Sequence, residues 1–272
     1  MKFTSIPALL LAVSTFVGTF ATPGVAQAEA VKSTPWKFRA NVYGWLPDAP
    51  ATISVDGKDV VDVPEDLGTI LDDAEALAMV DFQAHKGRLW LFANIIYYKG
   101  DETDNFTGPV FGEPRKFKLE EEVTFIKYGV GYDFGPWDAG NNNLSTLTLT
   151  PWVGSVFFHD NWSVKVSPKD EPGGGRVSGT FEFNTPMVGL VSRSRLAQDW
   201  SLVLDYGYGG WGVDDVDEIY DAYGGINYDF KMGDVPTSAY FGYRYLHLEW
   251  KDSPEELRLT IKGPFVGIGW EF

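Results

Sequence analysis

The chain has 272 residues, and its 38 acidic side chains against 22 Lys and Arg give a formal net charge of −16. Hydrophobic residues make up 44% of the sequence and aromatic residues 15%, which is too much apolar content for a disordered chain. Because the sequence contains no Cys, it excludes a disulfide-stapled scaffold and a thiolate-ligated zinc or iron–sulfur site.

The first thirty residues have the features of a secretory signal peptide. Lys2 supplies a positive charge, and residues 6–20 form an apolar stretch that is short for a membrane-spanning helix. Two overlapping segments, 26–28 and 28–30, offer the small-x-small pattern at which a signal peptidase cuts. We therefore expect a signal peptide over 1–30, cleaved after Ala28 or Ala30, and a mature domain over 31–272.

The mature chain has the pattern of β-strands rather than helices. No long segment keeps apolar residues at the i, i+3, i+4 spacing of a helix, whereas apolar and polar residues alternate with period two in many short segments. Clusters of Gly, Pro, Asp and Asn separate these segments. In chain order they are 36–46, 76–85, 89–99, 123–134, 147–158, 187–196, 201–209, 220–230, 241–245 and 265–272. We predict ten strands, with eight or twelve as alternatives.

The two faces of these strands differ in composition. One face carries aliphatic residues at mid-strand and aromatic residues toward the ends, while the other carries repeated Gly with single charges. Gly contributes little to a water-exposed strand face, but inside a narrow barrel it leaves room for long side chains from across the lumen. An aliphatic band between aromatic girdles is typical of a lipid-facing surface. The pattern predicts an all-β fold, a single closed antiparallel transmembrane β-barrel; a secreted lipocalin-like binder is the soluble alternative.

The lengths of the connections agree with a barrel that crosses an outer membrane. Short turns are predicted at 86–88, 197–199 and 232–236, whereas long acidic loops are predicted at 47–75, 100–117 and 160–178. With ten strands, both termini lie on the periplasmic side. Within the first long loop, residues 51–63 have the pattern of a hairpin around Asp56-Gly57, and residues 64–73 resemble a short helix.

The C-terminal segment carries the residues of a family resemblance. It resembles the signal by which Gram-negative outer-membrane barrels are recognised for insertion, with alternating apolar residues closed by a terminal Phe: Val266, Ile268, Trp270 and Phe272. Five further segments resemble a broad family of Gram-negative outer-membrane β-barrel proteins of unassigned function: 43–48, 84–93, 209–212, 242–246 and 262–267. The resemblance implies the fold and a location in the outer membrane of a Gram-negative bacterium. It implies no catalytic residues.

Polar residues on the predicted inner face form the candidate functional set. The predicted lumen-lining residues are Asn41, Asp81, Asn94, Lys127, Asp205, Asp221 and Arg244. They could form a charged constriction for small solutes, or salt bridges that fill a narrow barrel. Barrels of about eight strands are just wide enough to be filled by side chains, and open channels belong to about sixteen or more. We therefore predict a structural barrel or a narrow passive conduit.

An enzyme is the alternative in another functional class. The three His residues, His85, His159 and His247, belong to no recognisable catalytic motif. His247 with Glu249 and Asp160 is the best acid–base set, and it would belong to an outer-membrane lipid- or peptide-modifying hydrolase. We predict that the protein is not an enzyme, that it has no catalytic residues and that it binds no cofactor.

The partners follow from charge and predicted location. Acidic clusters at 101–104 and 214–218 could bind Ca²⁺ or Mg²⁺, but their spacing does not match an EF-hand. We therefore expect no dedicated metal site, and instead a solvated acidic rim bridged by divalent ions to lipopolysaccharide phosphates. The predicted partners are outer-membrane lipid, lipopolysaccharide and the barrel-assembly machinery. Nucleic acid is excluded as a partner by the acidic balance of the chain.

Overall fold

The computed structural model describes residues 34–46, 49–55, 58–65, 74–107, 114–138, 146–168, 174–252 and 255–272. The predicted signal peptide over 1–30 and the helix-like stretch over 66–73 lie outside these residues. For residues 49–65, the described features are those of the backbone. Within the described part of the chain, no helix has the length and hydropathy needed to cross a bilayer.

The described residues form thirteen β-strands. Their bounds are β1 Lys37–Trp45, β2 Ala49–Val55, β3 Lys58–Glu65, β4 Ala74–Lys86, β5 Leu89–Thr107, β6 Pro114–Tyr132, β7 Phe134–Asp138, β8 Thr146–Pro168, β9 Gly175–Arg195, β10 Trp200–Val213, β11 Val216–Met232, β12 Val235–Asp252 and β13 Glu255–Glu271. The tight turns before β5 and β12 place Gly87 and Gly233 at φ 63° and 64°, a backbone conformation that Gly adopts without steric cost.

Ten of these strands close into an antiparallel barrel. The hydrogen-bonded order is β1-β4-β5-β6-β8-β9-β10-β11-β12-β13, and β13 pairs back onto β1. At this closure Val42 lies opposite Ile268, and the amides of Phe38 and Phe272 each donate to the other residue's carbonyl at 2.8 and 2.9 Å. The prediction of a closed ten-stranded all-β barrel is confirmed, and the start of β1 and the end of β13 lie at the same end of it.

Three strands lie outside the closed order. The β2–β3 hairpin pairs with the loop end of β13, where Leu259 lies opposite Ala51. The short strand β7 pairs with the first residues of β8 at the opposite end. The pairing of the two strands of the predicted hairpin is therefore confirmed, and each strand extends two residues beyond the predicted range; Asp56 and Gly57 lie outside the described residues.

Several barrel strands are longer than the sequence predicted. β8 has 23 residues, β9 has 21, and β5 and β6 have 19 each, whereas about 9–11 residues suffice to cross a bilayer. Most of the segments predicted as loops at 100–117 and 160–178 are thus continuations of strands, and that prediction was wrong. These extensions contain more polar and charged residues than the middle of each strand, although β8 keeps apolar residues in alternation at Trp162, Val164 and Val166.

The outer wall carries an apolar band. Outward positions on the barrel are exposed hydrophobic side chains, with Val266 57% exposed. Aromatic residues cluster toward the end that holds the termini: Trp36, Phe38, Tyr132, Phe134, Trp137, Trp200, Tyr228 and Phe272. A continuous apolar surface of this kind is unfavourable in water and is typical of a barrel wall that faces lipid. A soluble lipocalin-like binder does not fit this surface.

Candidate functional site in the lumen

Four charged side chains meet at the centre of the barrel and form what we call the charged layer: Lys127, Asp205, Asp221 and Arg244. Lys127 Nζ lies 2.9 Å from Asp205 Oδ2 and 2.7 Å from Asp221 Oδ2. Arg244 donates from Nε and Nη2 to the two carboxylate oxygens of Asp221, at 2.8 and 2.9 Å. The layer therefore pairs two cations with two anions in one continuous network.

Neutral groups complete the hydrogen bonding of the charged layer. Arg244 Nη1 donates to Tyr43 Oη and to Asn94 Oδ1, both at 3.1 Å. Trp152 Nε1 donates to Asp205 Oδ1 at 3.1 Å. The Arg244 guanidinium also lies 5.0 Å from the centre of the Trp45 ring. Each charge thus has several partners, as burial in a low-dielectric interior demands.

Burial makes the pairing of these charges important for the stability of the fold. The side chains of Lys127 and Asp221 are 3% and 0% exposed. An isolated charge in such a position costs several kcal/mol, because desolvation is uncompensated, whereas the paired network is tolerated. The charged layer is therefore a structural unit whose side chains are almost completely buried.

An apolar layer covers the charged layer on the side away from the termini. It consists of the next inward-facing residues along each strand, all buried: Trp45, Met79, Ile96, Phe125, Val156, Phe158, Phe183, Met187, Ile219, Leu246 and Leu248. Phe158 and Phe183 stack with ring centres 5.2 Å apart. The two layers thus place buried side chains from most of the barrel strands into the lumen.

Glycine makes room for the largest of the inward rings. A Cβ at Gly207 would lie 2.7 Å from Trp152 Cζ2, and a Cβ at Gly189 would also overlap this indole. The indole can therefore cross the lumen to Asp205 only because its neighbours on β9 and β10 lack side chains. This is the role that the Gly-rich face indicated.

A cavity of about 530 Å³ lies on the other side of the charged layer, toward the termini. Its lining includes Asp81, which accepts hydrogen bonds from Asn41 at 2.6 Å and from Gln83 at 2.7 Å. Arg193, also in the lining, lies with its guanidinium 4.8 Å from the centre of the Trp90 ring. We call this space the periplasmic cavity.

The structure places all seven predicted lumen-lining residues on the inner face. Asn41, Asp81, Asn94, Lys127, Asp205 and Arg244 line the periplasmic cavity, and Asp221 lies fully buried behind them. The network joins Asn94 to the charged layer, while Asn41 and Asp81 form a separate pair. Sequence reasoning missed Tyr43 and Trp152; the Gly residues that make space for Trp152 were the available signal.

Charged residues at the end of the barrel where β1 begins and β13 ends pair with one another. Lys37 and Arg39 lie 3.3 and 3.4 Å from the Glu271 carboxylate. His85 Nδ1 lies 3.6 Å from Asp133, whose Oδ1 accepts a hydrogen bond from the Thr150 hydroxyl at 2.6 Å. These contacts surround the mouth of the barrel at the end that holds the termini.

The predicted acid–base set does not assemble. His247 Nε2 lies 3.6 Å from Glu249, but Leu246 and Leu248 point inward, so His247 faces the outer wall. Asp160 follows Phe158 on the inner face of β8, and its Oδ1 lacks a hydrogen-bond partner among the described residues. Burial raises the pKa of Asp160 to about 6. His247 and Asp160 thus lie on opposite faces of the wall.

The C-terminal residues close the barrel. Val266 and Phe272 are exposed on the outer wall, while Ile268 and Trp270 are half-buried and lie opposite β1 and β12. The outward position of Val266 and the inward positions of Asp205 and Arg244 agree with a lipid-facing outer surface. The role of these four residues as an insertion signal stays a prediction.

Comparisons with known proteins extend these observations. No family model matches the chain, and no curated protein matches it. The solved structure of the outer membrane protease OmpT from Escherichia coli superposes with a TM-score of 0.52 and 10% sequence identity, over 90% of this chain and 99% of that one. Ail, the attachment invasion locus protein of Yersinia pestis, covers 87% of this chain and 98% of its own, with 9% identity and a TM-score of 0.32.

The fold, the lipid-facing band and the similarity to OmpT define the class of this protein. It is a β-barrel of the Gram-negative outer-membrane type, and the predicted location in the outer membrane agrees with that fold. At 10% identity, the similarity concerns the fold alone and carries no activity over to this chain. The resemblance to outer-membrane barrels of unassigned function is supported at this same level.

Proposed function

We propose that this protein is a non-catalytic, non-conducting barrel that acts as a structural component of the outer membrane. The observation that carries the proposal is that the charged layer and the apolar layer place buried side chains across the lumen. A passing ion would have to separate Lys127 from Asp205 and Asp221, which lie 2.9 and 2.7 Å away. It would then have to cross an apolar layer of buried aromatic and aliphatic side chains, where a charge is unfavourable.

The width of the barrel supports the same proposal. Ten strands lie close to the size at which inward side chains fill the interior, and far from the sixteen or more of aqueous porins. The periplasmic cavity lies on one side of the charged layer, so we infer that it is a dead-end recess rather than half of a channel. A narrow passive conduit is the less supported form of the same class.

Planar-bilayer recording of the purified protein tests this proposal. We expect no steady single-channel steps from the wild-type protein. Four matched variants remove one lumen charge each: Asp81→Asn, Lys127→Gln, Asp205→Asn and Arg244→Gln. Flotation of protein-containing vesicles and the heat-dependent shift in gel mobility verify insertion and folding in every sample. Steady wild-type steps whose amplitude changes in these variants would establish a conduit and contradict a closed lumen.

The absence of catalysis is part of this proposal, and the surroundings of the histidines support it. His159 Nδ1 lies 3.0 Å from Glu182 in an exposed pair, and His85 lies beside Asp133 at the periplasmic mouth. His247 is held on the outer wall, with the Thr260 hydroxyl 2.8 Å from Nδ1 and Glu249 Oε1 3.6 Å from Nε2. A hydrolase would require an acid–base set and a substrate cleft on the same surface.

The partners and the family are proposed on the same grounds. We infer that lipid and lipopolysaccharide contact the outward apolar band, and that the barrel-assembly machinery recognises the strand ending in Trp270 and Phe272. We also propose that the chain is a member of the outer-membrane barrel family of unassigned function that its sequence resembles.

A further inference from the structure

Three side chains that can bind a metal ion converge on the outer wall, near the loop end of β11 and β12. They are Glu218 of β11 with His247 and Glu249 of β12, and we call them the outer-wall triad. One ligand atom from each lies within 4.8 Å of the other two. His247 Nε2 is 3.6 Å from Glu249 Oε1 and 3.9 Å from Glu218 Oε1.

Neighbouring groups hold the imidazole so that its Nε2 atom points at both carboxylates. The Thr260 hydroxyl lies 2.8 Å from His247 Nδ1, on the far side of the ring. The Tyr220 ring stacks on the imidazole, with ring centres 4.8 Å apart and planes inclined by 22°. The imidazole side chain is 10% exposed, so its orientation is set by packing rather than by solvent. A hydrogen bond to the second ring nitrogen of a ligating His is a recurrent feature of metal sites.

An ordinary ion pair explains this arrangement less well. Both Nε2–oxygen distances exceed the hydrogen-bond range, so Nε2 makes no direct hydrogen bond to either carboxylate. His159 provides the comparison within the same protein, because its Nδ1 lies 3.0 Å from Glu182 on a half-exposed ring. His159 thus makes a direct pair with one carboxylate, whereas His247 faces two carboxylates across a gap.

The gap has the dimensions of a coordination site. Zn²⁺ binds imidazole nitrogen and carboxylate oxygen at about 2.0–2.2 Å in tetrahedral geometry, which places neighbouring ligand atoms roughly 3.3–3.6 Å apart. The separations of 3.6 and 3.9 Å need only small side-chain rotations to reach this range. Arg258 Nε donates to Glu249 Oε1 at 2.9 Å, so an ion at this site would share that oxygen with the guanidinium.

We propose that the outer-wall triad binds one divalent transition-metal ion of the Zn²⁺ class. One nitrogen and two oxygen ligands suit Zn²⁺ better than Ca²⁺ or Mg²⁺, which prefer oxygen-only sites. Three protein ligands leave a fourth position for water. The ion joins β11 to β12 at the loop end of the barrel, and the site differs from the expectation that the acidic rim contains no dedicated metal site.

Isothermal titration of the tag-free, folded protein in detergent with ZnCl₂ tests this proposal. We expect one Zn²⁺ per chain, and an affinity that falls at least about tenfold in Glu218→Gln and in His247→Gln, since each removes a ligand. Thr260→Val removes only the group that orients the imidazole, and we expect about a tenfold loss. The matched control is Glu182→Gln, which changes the other His–Glu pair and should leave the affinity unchanged.

Two further results decide the outcome. The heat-dependent shift in gel mobility shows whether each variant is folded, and Glu249→Gln replaces any variant that is not. Zn²⁺ should also raise the unfolding temperature of the wild-type barrel but not that of Glu218→Gln. Equal Zn²⁺ affinity in the wild type, Glu218→Gln and Glu249→Gln would overturn the proposal, as would a loss in Glu182→Gln as large as in the triad variants.

Discussion

Lys127 is difficult to replace because two buried carboxylates surround its ammonium group. Its ammonium group lies between Asp205 and Asp221, and its side chain is 3% exposed. We expect Lys127→Met to lower the free energy of unfolding by about 3–5 kcal/mol, because Asp205 then keeps a buried charge without a cation. Urea-induced unfolding in lipid vesicles measures this change.

The double variant Lys127→Met with Asp205→Asn separates the loss of the pair from the loss of packing. Asp221 retains Arg244 in this variant, so no buried charge is left unpaired. We expect it to recover a substantial part of the stability lost in Lys127→Met. A double variant that is less stable than Lys127→Met would show that Asp205 has other cationic partners.

Asp160 links stability to pH on the loop side of the apolar band. Burial raises its pKa to about 6, above the ordinary value of 3.8, so the folded state binds this proton more tightly than the unfolded state. The contribution of Asp160 to the free energy of unfolding therefore falls as the pH rises from about 4 to about 6, and it stays low above that. Asp160→Asn should raise stability by about 1–3 kcal/mol at pH 7.5 and by little at pH 4.

Unfolding curves of both proteins at pH 4, 5, 6 and 7.5 test this expectation. The wild type should approach the stability of Asp160→Asn as the pH falls through 6. A difference between the two proteins that is constant across these pH values would mean that the carboxyl group is not titrating in the folded state.

At the scale of the strand, the accuracy of the predicted strands depended on whether the two faces of each strand have different surroundings. In 201–209, lipid meets one face and the packed lumen meets the other, so the alternation of Leu204 and Tyr206 with Asp205 and Gly207 is strict. Period-two analysis therefore located all ten barrel strands. In β8 past His159, Trp162, Val164 and Val166 still alternate with polar residues, but the high polar content of the segment led to the prediction of a loop.

The contents of the lumen were harder to predict than its wall. The sequence indicated that Lys127, Asp205, Asp221 and Arg244 face inward, because they alternate with apolar residues. Which of them pair depends on strand order, shear and side-chain length across the lumen, and none of these is local. Trp152 was missed for the same reason: its partner Asp205 lies 53 positions away in the sequence.

At the scale of the whole molecule, the barrel is held in place by the chemistry of its outer surface. Val266 belongs to the apolar band and is 57% exposed on β13, which closes the barrel against β1. A Lys at a lipid-facing position near the middle of the bilayer costs about 2–4 kcal/mol, whereas one near or beyond the interface costs about 0–1 kcal/mol. We therefore expect Val266→Lys to lower the free energy of unfolding in lipid vesicles by about 2–4 kcal/mol.

Val177 provides a solvent-exposed control for this experiment. It is also exposed, at 64%, but it lies near the loop end of β9, on the same face of the strand as the buried Phe183. Val177→Lys should change the free energy of unfolding by less than about 1 kcal/mol. Equal effects of the two substitutions would contradict the assignment of the outer wall to lipid. Both substitutions introduce the same charge, so a difference between them must come from the environment of each position. A loss confined to Val266→Lys would therefore show that the surface around the β1–β13 closure is in contact with acyl chains.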